Sequence, residues 1–201
     1  MNDGAIEERL RNAVRGLDDP PGRSAHSRIE VAGLPLPVRP APVLVPSVPR
    51  AARLSVLFTR RNPNLRNHAG QVSFPGGGID AGDLDAVAAA LRETREETGI
   101  DEAQVDPFGY LDCLDTVSGY CVTPVTGFVR NDYAVRLHED EVDEVFEVPF
   151  EYILEPSTLR RELIHWGGRD REIFTFDWDG RRIWGVTAAI LKDLLGRMHG
   201  Q

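Results

Sequence analysis

The stretch from Phe74 to Ile100, FPGGGIDAGDLDAVAAALRETREETGI, restricts the possible folds more than any other part of the chain. Pro75 stiffens its entry, and three consecutive glycines allow a tight turn and a close approach of backbone to another group. An alanine-rich helix is predicted over Leu84–Thr98, with Gly99 as its C-cap. At about 100° per residue, Leu84, Val87, Ala88, Leu91 and Thr98 fall on one side of this helix. Glu93, Glu96 and Glu97 fall on the other, at i, i+3 and i+4. Like charges at that spacing repel, and the negative end of the helix macrodipole disfavours them further. A divalent cation reverses the sign of both effects, because Mg²⁺ and Mn²⁺ take oxygen ligands. The carbonyl of Gly77, next to the helix, is a candidate further ligand. A solvated acidic face, partly neutralised by Arg92 and Arg95, fits the same residues.

Strands are predicted on both sides of this unit. RLSVLFTRR from Arg53 is a β-branched and apolar run, APVLVPSV precedes it, and QVSFPGG is a short strand ending in the glycine turn. VDPFGYLDCLD and YCVTPVTGFV flank a turn, EVFEVPF follows, and REIFTFDWDGRRIWGVTA reads as a hairpin turning at Asp179-Gly180. A short helix is predicted over Ile6–Leu17, another between Pro149 and Pro156, and an amphipathic one over AAILKDLLGRM. The class is α+β, an α/β/α sandwich with a mixed sheet. Residues 1–42 are expected to form a helix and an extended arm, and residues 43–201 the domain proper.

The 201 residues carry 23 Lys and Arg against 32 Asp and Glu, a net charge of −9. That balance argues against whole-surface binding of nucleic acid or anionic lipid. No apolar run reaches the roughly 20 residues of a membrane span. MNDGAIEERL lacks the basic start and apolar stretch of a signal peptide, so a cytoplasmic protein is expected. Cys113 and Cys121, without C-x-x-C spacing, are read as reduced thiols.

The region after the glycines resembles the signature of the Nudix hydrolases, G-x5-E-x7-R-E-U-x-E-E-x-G-U with U bulky and apolar. Arg92-Glu93-Thr94-Arg95-Glu96-Glu97-Thr98-Gly99-Ile100 fits its second half. Counting back from Arg92 puts Gly78 at the first glycine and Leu84 at the first acid. Counting forward from Gly77 puts Asp83 there. Upstream, LFTRRNPNLRNHAGQVSFPGG is similar to a motif of the coenzyme A diphosphatase branch, through Leu57, Thr59, Arg61, Arg66, Gly70 and Phe74-Pro75-Gly76-Gly77. EVFEVPF and IWGVTA also resemble that branch, so the likeness runs from about Val43 to Leu195.

The resemblance implies a Nudix sandwich and metal-dependent hydrolysis of the diphosphate of coenzyme A or its acyl or oxidised derivatives. The products would be 3′,5′-ADP and 4′-phosphopantetheine or its acyl form. Glu93, Glu96 and Glu97 would hold Mg²⁺ or Mn²⁺, and Arg92 would orient a glutamate through a charge-assisted fork. The base would be one of these glutamates or a loop carboxylate, Glu141 before Glu144. Arg61, Arg66 and His68, with the backbone of Gly76 and Gly77, are candidates to bind substrate phosphates. Ser118 and Tyr120 could line a channel, although turn roles suit them as well. Another nucleoside diphosphate derivative, such as ADP-ribose or an NDP-sugar, is an alternative substrate. A catalytically silent ligand-binding module is a further alternative. A homodimer is compatible with the N-terminal arm.

Overall fold

The computed structural model describes residues 3–21, 39–51, 53–116, 118–166 and 168–200. Its centre is β1 (Arg39–Arg50). This strand runs parallel to β6 (Tyr120–Val129), from Arg39↔Tyr120 to Ser47↔Phe128. It runs antiparallel to β2 (Arg53–Arg61) only from Ser47↔Val56 to Arg50↔Arg53. β2 also pairs with β3 (Val72–Ser73) and β7 (Val142–Pro149), while β4 (Val105–Tyr110) and β5 (Leu114–Asp115) pair with β6. The result is a seven-stranded mixed sheet.

Strand alternation decides what each face covers. Leu44 faces one way, against Ala90 of helix α2 (Ala86–Thr98), with Tyr110 and Val125. Leu57 and Val48 share that side with Ile100. Val45, Val56 and Phe58 face the other way, into the main core with α1 (Asp3–Ala13) and α4 (Gly185–Met198). The sandwich expected from the sequence is therefore present. Its second side also carries a three-stranded sheet, ordered β10 (Arg181–Trp184), β9 (Arg169–Trp178), β8 (Arg160–Trp166). The β9–β10 hairpin turns at Asp179-Gly180 as expected, with Asp179 and Gly180 both at positive φ. β8 was not foreseen. Its RRELIHW segment interleaves charges with few apolar residues, so no strand pattern stands out.

Three expectations need correction. The 42/43 boundary falls inside β1, and α1 belongs to the shared core, with Ile6 and Leu10 fully buried. Arg9 donates to the carbonyl of Met198 at 2.7 Å, tying α1 to the end of α4. Most of the expected arm, residues 22–38, lies outside the described residues. Cys113 and Cys121 are joined by a disulfide rather than free. The antiparallel register Asp115↔Cys121 folds the 113–121 segment back on itself, leaving the two Cα atoms 6.1 Å apart. Among the tryptophans, Trp178 packs edge-on to Tyr152, and Trp184 lies under Arg182. The side chain of Trp166 lies outside the described residues.

The shared core makes a direct test of α1 possible. Leu10→Ala is expected to cost about 2–5 kcal/mol, the range for truncating a fully buried leucine, read by urea unfolding. A cost near zero would mean that α1 only lies on the surface.

Candidate active site

Prolines in β1 explain where the glycine turn sits. Residues 42, 44 and 46 point their backbone toward the same edge, and Pro42 and Pro46 have no N–H to offer there. β2 does not reach this part of the edge, and the glycine turn takes it instead. Leu44 N–H donates to Pro75 O at 2.9 Å, Gly77 N–H donates to Pro42 O at 3.1 Å, and Val43 bridges Gly76. Gly76 has φ +153, and a Cβ there would lie 2.5 Å from Pro42 O and 2.6 Å from Val43 Cα. A Cβ on Gly77 would lie 2.5 Å from the Glu93 carboxyl carbon. The two glycines are thus fixed by two different neighbours, β1 and α2.

Helix α2 starts two residues later than predicted. Asp85 caps it, accepting from Ala88 N–H at 2.8 Å, which leaves Leu84 outside the helix and 95% exposed. Gly99, in the left-handed region at φ +76, ends the helix as expected. The buried face is Ala89, Ala90, Thr94, Glu97 and Thr98. Small alanines let the helix lie close on β1. The predicted wheel placed Glu97 with the polar residues; in the structure it is buried, and only Glu96 among the three acids is exposed. The wheel separates faces but cannot say which boundary residues the sheet and the loops cover.

Arg92 holds this acidic helix together. Its Nε and Nη2 donate to the two carboxylate oxygens of Asp83, both at 3.0 Å. Nη1 donates to Glu93 and Glu96, and Nη2 also to Gly78 O, each at 3.0 Å. The fork expected on a glutamate is therefore made to Asp83, with single contacts to two glutamates. Asp83, not Leu84, is the acid that meets the arginine. This pairing drives the Asp83 carboxyl below its usual range and holds Arg92 charged.

Glu93 and Glu97 sit in the opposite electrostatic situation. Burial raises both carboxyls, and it pushes Glu97 up to about 8. Arg61 opposes this only weakly, with its Nη1 3.9 Å from Glu97, and Gly76 N–H lies 3.4 Å from the other oxygen. Glu141 adds to the strain, since its negative charge raises both Glu93 and Glu97. It reaches them from a loop laced to the helix end. His138 N–H donates to Glu97 O at 3.1 Å, Arg136 N–H to Thr98 O at 2.7 Å, and the Glu141 carbonyl accepts from Asn62 N–H at 2.8 Å. Glu144, the second loop candidate, is instead paired with Arg181 and Arg60, away from this cluster.

The structure thus brings together Glu93, Glu96, Glu97, Arg92, Arg61, Gly76, Gly77 and Glu141. Arg66 and His68 lie on an exposed loop. His68 meets Gln71, and among the described residues neither makes a hydrogen bond or ion pair with the acidic face. Ser118 bonds Thr116 within its turn, and the Tyr120 backbone does the same. His138, 3.4 Å from Glu141, is a neighbour that the sequence reading passed over. Its only signal was a histidine heading the acidic run HEDEVDE.

Glu97, buried with its nearest cation 3.9 Å away, is a poor arrangement for a protein alone. Carboxylate oxygens are hard donors of the kind that divalent cations take. The NUDIX domain matches residues 39–169 of the chain, which contain every residue of this cluster. The chain is a Nudix hydrolase. The protein named "Uncharacterized Nudix hydrolase NudL" of Escherichia coli (strain K12) is 39% identical over 178 residues, 89% of this chain and 92% of that one. Its namesake in Citrobacter koseri is 38% identical over 185 residues, 92% and 96% of the two chains. The Nudix fold is shared with a MutT/nudix family protein from Enterococcus faecalis, at TM-score 0.52 and 15% identity over 100% of this chain and 76% of that one. It is shared too with a Nudix hydrolase from Alicyclobacillus acidocaldarius, at TM-score 0.50 and 19% identity over 80% and 92%.

Burial of Glu97 makes a pH prediction for this Nudix hydrolase. Its folded carboxyl binds a proton more tightly than the unfolded one, so ionising it costs stability as pH rises from the ordinary value of 4.5 to about 8. In chelator, the wild type should lose about 2–5 kcal/mol more than Glu97→Gln between about pH 5 and pH 8. Calorimetry of both proteins measures this, and parallel curves would show that Glu97 ionises freely.

Proposed function

We propose that this Nudix hydrolase cleaves the diphosphate linkage of coenzyme A or of its acyl and oxidised derivatives. Water attacks phosphorus, a phosphorus–oxygen bond of the anhydride breaks, and 3′,5′-ADP and 4′-phosphopantetheine leave. The observation that carries the hydrolytic part is that Arg92 holds Glu93 and Glu96 together on α2 while the glycine turn packs on Glu93 and reaches Glu97 through Gly76 N–H. The coenzyme A part is supported by the upstream segment from Leu57 to Gly77. That segment supplies both the glycine turn and Arg61, the cation nearest the buried glutamate.

Glu93, Glu96 and Glu97, with the Gly77 carbonyl, would hold Mg²⁺ or Mn²⁺. When bound, the ion supplies positive charge that neutralises the diphosphate oxygens and acidifies water. The chain's own residues do the rest. Arg92 fixes Glu93 and Glu96 in place and leaves Glu97 free of its grip. Asp83 occupies the arginine's fork, so the guanidinium cannot turn toward substrate. Glu141 is the candidate proton acceptor. It comes from a separate loop, is half-exposed, and stands within electrostatic reach of Glu93 and Glu97 without any contact to Arg92. Intact Arg92-Glu93 and Glu96-Glu97 pairs speak against a silent module.

Incubation with Mg²⁺ or Mn²⁺ and coenzyme A, ADP-ribose, NADH or NDP-sugars, with products identified by mass, tests the substrate class. Coenzyme A should be cleaved to the two products named above. Cleavage of ADP-ribose with coenzyme A left intact would replace this reading by the other nucleoside diphosphate one. Glu97→Gln should lower turnover at least about a hundredfold, the scale for losing a group that stabilises transition-state charge. Glu141→Gln should lower it about a hundredfold or more.

A further inference from the structure

The β2–β7 ladder ends where Arg61 faces Val142. Two loops meet at this end. Residues 62–71 run on toward the glycine turn, and residues 131–141 precede β7 and carry Glu141. Asn62, the first residue after β2, holds both. Its N–H donates to Glu141 O at 2.8 Å, and its Nδ2 donates to Glu139 O at 2.6 Å. The two bonds grip the chain on either side of Asp140. The other end of the side chain serves its own loop. Oδ1 accepts from Asn64 N–H at 2.8 Å, and the Asn62 carbonyl accepts from Leu65 N–H at 3.2 Å. Donor and acceptor of one carboxamide are thus used in two different loops. Aspartate has the acceptor without the donor, and serine has the acceptor without the reach.

The gripped turn needs such a hold. Glu139, Asp140 and Glu141 are three consecutive acids, which repel one another. Glu141 also stands within electrostatic reach of Glu93 and Glu97, a place that its own charge disfavours. Left to electrostatics, the turn would swing away from the helix. On the helix side it is tied through His138, whose N–H donates to Glu97 O at 3.1 Å and whose carbonyl accepts from Glu141 N–H and Val142 N–H, both at 2.9 Å. On the strand side it is tied by Asn62. Glu141 therefore sits between two backbone anchors, one on α2 and one at the end of β2.

We propose that Asn62 is the positioning residue of Glu141. Its carboxamide latches the acidic turn to the end of β2 and keeps Glu141 beside Glu93 and Glu97 against their repulsion. This rests on the reading of Glu141 as proton acceptor. The backbone bond from Asn62 N–H to Glu141 O survives any substitution except proline, so the side chain is not needed to join the two loops. What it adds is the second point of the grip, at Glu139 O, without which the turn can rotate about the first. Because the same carboxamide shapes the 62–65 turn, one side chain sets the two loops relative to each other.

The test uses Asn62→Ser, which keeps an oxygen for Asn64 N–H but cannot reach Glu139. Amide hydrogen exchange, followed by nuclear magnetic resonance without metal or nucleotide, should speed up at least about threefold at Glu141 and Val142 and stay as in wild type along α2. Unchanged exchange at those two amides would overturn the proposal. In turnover of coenzyme A with saturating Mn²⁺, Asn62→Ser should lower kcat about threefold to tenfold, the scale of one net hydrogen bond. KM and the half-saturating Mn²⁺ concentration should not move. A raised KM at wild-type kcat would mean that Asn62 serves substrate binding instead, which overturns the proposal. In a Glu141→Gln background the same substitution should change kcat less than about twofold, because the group it positions is gone. An equal loss in both backgrounds would overturn the proposal and leave Glu141 as the proton acceptor. Wild-type turnover by Glu141→Gln alone would instead remove that reading of Glu141, and the positioning role with it. Should ADP-ribose be the nucleotide cleaved, it replaces coenzyme A with the same outcomes. Far-ultraviolet circular dichroism melts confirm that each variant is folded.

Discussion

The Arg92–Asp83 fork is the interaction on which the acidic face depends. Three glutamates in the last turns of one helix repel each other and the helix dipole. A single guanidinium, itself fixed by a carboxylate outside the helix, offsets that repulsion for Glu93 and Glu96. Because Asp83 takes the bidentate edge, Arg92 reaches two glutamates with one nitrogen and the Gly78 carbonyl with another. The geometry of helix, glycine turn and preceding loop is therefore set together. Glu97 lies outside this network, and its burial leaves a charge that the protein alone does not balance well.

The sheet contributes through what β1 lacks. Two prolines withhold N–H groups on one edge, so β2 pairs with only the last part of the strand. The glycine turn fills the remaining edge, and only residues without Cβ fit between β1 and Glu93. Prolines inside a central strand ordinarily argue against that assignment. Here they are tolerated because the groups opposite them are a turn rather than a full strand. Tertiary position of the site follows from backbone chemistry as much as from side chains.

Loops then bring in the groups that vary. The 131–141 segment is stitched to the helix end through Arg136 and His138, and Gly99 has no room for a side chain beside Arg136. That contact delivers Glu141 next to Glu93 and Glu97. The segment after β2 delivers Arg61, but leaves Arg66 and His68 on an exposed loop. The two ends of the candidate site thus differ: the carboxylate end is knit by the Arg92 hydrogen bonds, and the Arg61 head at the cationic end stops 3.9 Å short of Glu97.

Much of this was legible in the residues themselves. Glycines 76–78, the helix with its Gly99 stop, the spacing of Glu93, Glu96 and Glu97, strand β2 and the Asp179-Gly180 turn are local signals, and local backbone preference is enough to fix them. Four features were not legible. Leu84 fell outside the helix because the Asp85 side chain competes for the first turn. Glu97 is buried because neighbours from β2 and the glycine turn cover it. The cysteines meet because strand register folds their segment back. Helix α1 entered the core because the second face of the sheet needed covering. Sequence determined which chemical groups this protein carries and at what local spacing. Tertiary structure alone decided which of them are shielded from water and which arginine each carboxylate meets, because those depend on contacts between residues far apart in the chain.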